Sequence, residues 1–176
     1  MSRAPVPAPS AQAPAAGSSD IPSKTLATWI AVVAGSIGLH HFYLGGPRRW
    51  LGLLYPLPTL VGVAGVMRMR SLGQDDRLAW LLIPWLGFAV SAGMLCAIVI
   101  GLTSDAKWAR RHVPEAAGAD ADDEAPPGLV PTGWGPVLGV ILALMIGGGV
   151  LMGTIAFSVE KFFVWQAQSP VAAVER

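Results

Sequence analysis

The residues of this chain that could do chemistry are few, and most of them sit where apolar runs end. His40 and His41 close the first run, within Gly35-Ser-Ile-Gly38-Leu-His40-His41-Phe42-Tyr43-Leu44-Gly45-Gly46, and His112 follows the third. Imidazole nitrogens ligate metals and haem, so His40 and His112 are the candidate metal ligands by residue type. Adjacent side chains on a helix point about 100° apart, which keeps His40 and His41 from sharing one ion unless the helix breaks between them and their neighbours. Bis-histidine haem needs imidazoles from two spans at one depth, and no other apolar run contains a histidine. Asp75-Asp76 and the run Asp120, Asp122, Asp123, Glu124 lack the glycine and ligand spacing of an EF-hand loop and read as solvated charge. The single cysteine, Cys96, lies inside an apolar run, has no partner for an intrachain disulfide and reads as a small packing residue. No histidine has a nucleophile or carboxylate at an enforced spacing, so no catalytic residue is assigned and the chain is expected not to be an enzyme.

The elements that must position these residues belong to a membrane. Of 176 residues, 53% are hydrophobic and 13% charged, against about 25% charged in soluble domains, and the mean hydropathy is +0.53. A water-facing surface cannot be assembled from that mixture. A net charge of +1, with no basic patch interleaved with aromatic residues, argues against nucleic acid as a partner.

Four segments reach the roughly 20 residues that a helix needs to cross a hydrocarbon core: Thr25–Leu44, Trp50–Met67, Leu78–Leu102 and Gly135–Val159. None carries an acidic or basic residue in its interior, where one costs about 2.5–3.5 kcal/mol on insertion scales. The expectation is an all-α integral membrane protein with about four transmembrane helices, the first two a tight antiparallel hairpin because only Gly45–Arg49 joins them. The second span is the shortest and carries Pro56 and Pro58, so a kink or partial re-entry is expected there.

The chain divides accordingly into a disordered Ala/Pro-rich tail (1–23), the helical hairpin (24–67), a short loop (68–77) and a third helix (78–102). An extramembrane linker that begins basic and turns acidic (103–134), a fourth helix (135–159) and an interfacial C-terminal segment (160–176) complete it. The tail lacks the apolar region and cleavage site of a signal peptide. On this topology Lys24, Arg68, Arg70, Arg77 and Lys161 face one side and Arg48, Arg49, Lys107, Arg110 and Arg111 the other, so the lysine and arginine balance does not orient the chain. An untranslocated tail favours cytoplasmic termini.

Lys24 ahead of the first helix, then Gly35-x-x-Gly38-x-His40-x-Phe42-Tyr43-x-Gly45, a tight turn and a second helix opening at Leu51-Gly52 resembles the two-transmembrane-helix (TM-two) domain family. The resemblance covers about Lys24 to Met67. It departs from the family at His41, where members usually have Arg, and at Val66-Met67-Arg68, where they usually have Trp and Asp. It implies a bacterial membrane module with no agreed reaction, often fused to other segments. In such a turn His40, Phe42 and Tyr43 anchor the helix end at the interface, while Gly45 and Gly46 let the chain reverse.

The later spans carry a packing signal. Ala89, Gly93, Ala97 and Gly101 recur every four residues, as do Gly135, Gly139, Ala143 and Gly147, with Gly149 and Gly153 as a further pair. Such faces, with Gly35 and Gly38 in the first span, permit close helix approach in a bilayer. They serve either the third and fourth spans themselves or another protein, and the sequence leans toward the second. The polar residues within the spans are Thr28, Ser36, Thr59, Ser91, Thr154, Ser158 and Cys96, with no ionisable residue for ion coupling. The expected function is therefore a non-catalytic accessory or structural subunit of a larger bacterial inner-membrane complex, respiratory, photosynthetic or secretory. Its expected partners are membrane lipids and other integral membrane subunits; no cofactor is expected, although bound lipid is compatible with the glycine faces. The alternatives are a small oligomeric transporter or channel, and a metal- or haem-binding membrane protein using His40.

Overall fold

Ser23 starts the first helix by accepting a hydrogen bond from the Leu26 amide on its hydroxyl, 3.4 Å away, which satisfies one of the helix's orphan N–H groups. The structure is a computed structural model that describes residues 22–45, 50–112 and 132–168. The tail to residue 21, the turn residues 46–49, the acidic part of the linker and the last eight residues lie outside the described residues. The described residues are all helical or connecting: α1 (Lys24–Ala34), a 3-10 turn (Gly35–Ile37), α2 (Leu39–Leu44), α3 (Leu51–Leu54), α4 (Pro56–Leu72), α5 (Arg77–Leu102), α6 (Asp105–His112) and α7 (Gly135–Gln168).

Three helical stretches are long and apolar enough to cross a membrane: Gly52–Leu72, Arg77–Leu102 and Gly135–Gln168. Their outer faces are apolar and open; Leu81, Leu144, Met145 and Met152 are all exposed, as lipid-facing side chains are. The four-span expectation fails to find its first helix. Lys24–Ile37 is apolar but short, because the run that looked continuous to Leu44 breaks at Gly38, whose φ of +78° is left-handed and denied to most side chains. Hydropathy sees an unbroken run where the backbone turns. Pro56 and Pro58 lie inside the stretch Gly52–Leu72, and the helix is interrupted beside them, at Tyr55 between α3 and α4, with Pro56 at the first position of α4, where a missing N–H costs nothing.

Beyond Gly38 the chain returns the way it came. The Tyr43 hydroxyl accepts from the Ser23 amide at 3.0 Å, and Tyr43 and Leu44 pack against the buried cluster that contains Ala27 and Trp108. Carbonyls freed at the break are satisfied locally: the Gly38 amide bonds the Gly35 carbonyl at 3.0 Å, and the Thr59 hydroxyl donates to the Ser36 carbonyl at 2.7 Å. Interrupted helices survive at membrane depth only where such groups are paired inside protein.

Helix α5 is the spine. It runs antiparallel to α4, with Gly65 facing Leu82 and Gly62 facing Leu86, and antiparallel to α7, with Gly87 facing Thr154, Met94 facing Gly147 and Val140 facing Gly101. Helix α1 lies in the α5–α7 groove, parallel to α7, its Thr25 and Thr28 methyls against Gly135 and Gly139. Lys24 pairs with Asp105 at 2.9 Å, so the start of α1 sits at the same end of the bundle as α6. A four-span topology would place these two at opposite ends. At the far end Arg77 donates to Gln168 at 3.4 Å. Pro22 and Gln168 therefore lie at opposite ends of the bundle, unlike the same-side arrangement that four crossings would give.

Candidate functional site

The break at Gly38 brings a cluster of polar side chains into an apolar bundle. Helix α2 begins one residue later and carries His40 inward, where it is 1% exposed, the largest of the fully buried side chains. Its ring lies 4.3 Å from that of His41 and edge-on to that of Tyr55 at 5.5 Å, while His41 and Tyr55 are 4.9 Å apart by ring centres. The close approach of α2 to α3 needs small residues. A Cβ on Gly52 would stand 2.8 Å from a Phe42 ring carbon and 3.2 Å from the His41 Cβ, and one on Gly38 would stand 2.8 Å from the Tyr55 Cβ.

Two side chains unremarked as site residues complete the cluster. Tyr55, at the junction of α3 and α4, brings its hydroxyl to 3.4 Å from the Cys96 sulfur of α5, so the cysteine is a hydrogen-bonding partner as well as a packing residue. Both ring nitrogens of His40 and Nε2 of His41 are buried without a hydrogen-bond partner. A buried polar atom left unpaired costs about 1–3 kcal/mol, which makes this cluster the most unsatisfied place among the described residues. His40 and His41 remain consecutive residues of α2, yet their rings lie close together and both reach Tyr55. His112 does not join them: its ring packs on Trp108 at 4.4 Å and its Nδ1 contacts the Trp108 carbonyl at 2.9 Å. No group of three His, Cys, Asp or Glu side chains able to hold a metal occurs among the described residues.

Near the start of α1 the fold is held by a clasp that composition concealed. Asp105, first residue of α6, accepts from the Lys24 amine at 2.9 Å and from the Thr132 amide at 2.8 Å, and the Thr132 hydroxyl also bonds it. Partial burial alone would raise the Asp105 pKa, but the hydrogen bonds from Thr132 and Lys24 and the Lys24 charge outweigh it and hold the carboxyl below its ordinary value. Trp108 adds a bond from its indole N–H to the Pro22 carbonyl at 2.9 Å. No local sequence pattern points to Asp105, because its partners are 81 and 27 residues away in sequence.

The small-residue faces have specific neighbours. Ala89, Gly93 and Ala97 are buried and Gly101 partly so; Gly139, Ala143 and Gly147 are buried and Gly135 partly so. Gly35 meets Gly93 backbone to backbone, such that a Cβ on Gly93 would lie 2.6 Å from the Gly35 carbonyl carbon. The hydroxyls of Thr28, Thr59, Ser91, Thr154 and Ser158 each donate to a backbone carbonyl, Ser91 across to Gly147 of α7 at 3.3 Å. Phe42 is exposed, and Gly45, with φ of +64°, ends α2; Gly46 lies outside the described residues. Compared with known proteins, the chain matches no family model, no curated protein and no solved structure.

Proposed function

We propose that the chain is a non-catalytic integral membrane protein that crosses the bilayer three times, with α1 and α2 as a re-entrant pair, and serves as an accessory subunit of a larger membrane assembly. The TM-two resemblance of Lys24 to Met67 supports a bacterial inner membrane. The observation that carries the accessory role is the outer face of α7. The inner glycines of that helix are covered by α1 and α5, whereas a Cβ at Gly149 or Gly153, neighbours on one face, would meet nothing within 4 Å. A helix side facing only lipid gains nothing from glycine, which costs about 1 kcal/mol against alanine in a helix interior; a closely approaching foreign helix does gain. Among the described residues, the hydroxyls of Thr28, Thr59, Ser91, Thr154 and Ser158 are spent on backbone carbonyls, which favours this reading over a channel or transporter.

A photo-crosslinking residue at position 149 or 153, compared with one at the exposed position Leu81 on α5, tests this in native membranes. A discrete protein adduct at 149 and 153 but not at 81 is expected. Lipid adducts alone at all three positions would sink the accessory reading.

One observation favours a second reading, a metal-binding site at His40: three imidazole nitrogens are buried with nothing to bond. Metal analysis and absorbance of the purified protein decide it. Stoichiometric metal lost in His40→Ala supports it, and metal-free, colourless protein removes it.

A further inference from the structure

We infer that the groove between α5 and α7, at the bundle end where Arg77 meets Gln168, holds the phosphate headgroup of an anionic phospholipid with an acyl chain laid along its wall. This depends on the chain lying in a bilayer but not on its having a protein partner. The groove encloses about 580 Å³ and is lined by Trp80, Leu81, Pro84, Trp85 and Phe88 of α5 and by Phe162 and Trp165 of α7, with Arg77 and Lys161 as its charged lining residues. Apolar walls with two cations at one end match the two parts of a phospholipid.

The placement of the cations supports this occupant. Arg77 is the first residue of α5, where a span meets the headgroup layer, and the side chain of Lys161 is mostly covered, 19% exposed. The Lys161 amine lies 5.1 Å from the Trp80 ring centre and 5.7 Å from that of Phe157. Its acidic neighbour, Glu160, contacts it at 3.0 Å but is itself 64% exposed and contributes nothing to the lining. Arg68, at the same end, pairs with Asp76 at 2.6 Å and does not line the groove, whereas Arg77 and Lys161 do. Basic pockets between membrane helices bind anionic headgroups through this combination of charge and aromatic anchoring.

The tryptophans provide the measurement. Trp80, Trp85 and Trp165 line the groove, whereas Trp29, Trp50, Trp108 and Trp134 belong to the end of the bundle near Lys24 and Asp105. The full chain is placed in phosphatidylcholine vesicles carrying a small equal fraction of either brominated phosphatidylglycerol or brominated phosphatidylcholine, and tryptophan quenching is compared. Two cations predict local enrichment of phosphatidylglycerol by roughly tenfold or more, hence stronger quenching by it, falling to the phosphatidylcholine level in Arg77→Gln/Lys161→Gln. Circular dichroism melting checks that the variant folds, and Lys161→Gln alone, expected to lose part of the preference, serves if the double variant does not. Equal quenching by the two lipids in the unmodified protein, or a preference that survives in a folded variant, overturns the assignment.

Discussion

The two glycine faces of this bundle are chemically alike and physically opposite. On the inner face, Gly35 and Gly93 bring two backbones together so closely that either Cβ would land within 2.8 Å of backbone atoms. On the outer face of α7, Gly149 and Gly153 have open space where a Cβ would go. The spacing of small residues thus shows that a groove exists, while its occupant depends on where the rest of the chain goes. Here α1 fills the inner groove, and the outer one is left for lipid or another protein.

The sharpest way to break the comparison is to put a methyl into the inner face. Gly93→Ala drives a Cβ into the Gly35 backbone, which has no rotamer by which to yield, and overpacking of this kind costs about 1–3 kcal/mol. A markedly lowered melting temperature in detergent is expected; an unchanged one would mean that α1 does not seat on α5. Gly38→Ala comes next. It strains a left-handed residue by about 1–2 kcal/mol and pushes toward the Gly52 carbonyl, 2.7 Å from the added Cβ. Its signature differs from that of Gly93→Ala, since releasing α2 should expose His40 and speed its modification by diethyl pyrocarbonate.

Much of the helical skeleton was legible because hydropathy and a four-residue period are local properties. Ala89, Gly93, Ala97 and Gly101 fall on one face of any helix, whatever covers them. The return of α2 was not legible, since Gly38 interrupts the backbone without interrupting the apolar run, and the length count therefore gave a fourth span. Tyr55 could have been suspected from its place beside Pro56 and opposite the His40 turn, but its contact with Cys96 depends on how α4 lies on α5. The Lys24–Asp105 pair joins residues 81 apart, and no short-range pattern announces it.

That pair allows a milder test of whether the inner groove is held from its end as well as along its length. Asp105→Asn removes the charge from the clasp on α1 and should cost roughly 1 kcal/mol. The pH dependence has a definite sign. Asp105 has its folded pKa lowered by its hydrogen bonds and by Lys24, so its contribution is complete above the unfolded value of about 4 and fades as pH falls through the folded one. Acid melting curves of the unmodified protein should lose stability in that range relative to its value at neutral pH, and Asp105→Asn should flatten this part of the profile. Parallel profiles for the two proteins would show that the clasp contributes nothing.

The smallest effect belongs to the outer face, and its smallness is the point. Gly153→Ala adds a methyl where nothing lies within 4 Å, and alanine favours the helix by about 1 kcal/mol over glycine. The isolated protein should therefore melt at the same temperature or slightly higher, the reverse of Gly93→Ala. If a partner helix uses this face, Gly153→Leu should leave that melting temperature intact while abolishing the crosslink from position 149, because a bulky side chain holds the foreign backbone off. A Gly153→Ala protein destabilised as strongly as Gly93→Ala would erase the distinction between the faces, and would mean that α7 packs with its outer side turned inward.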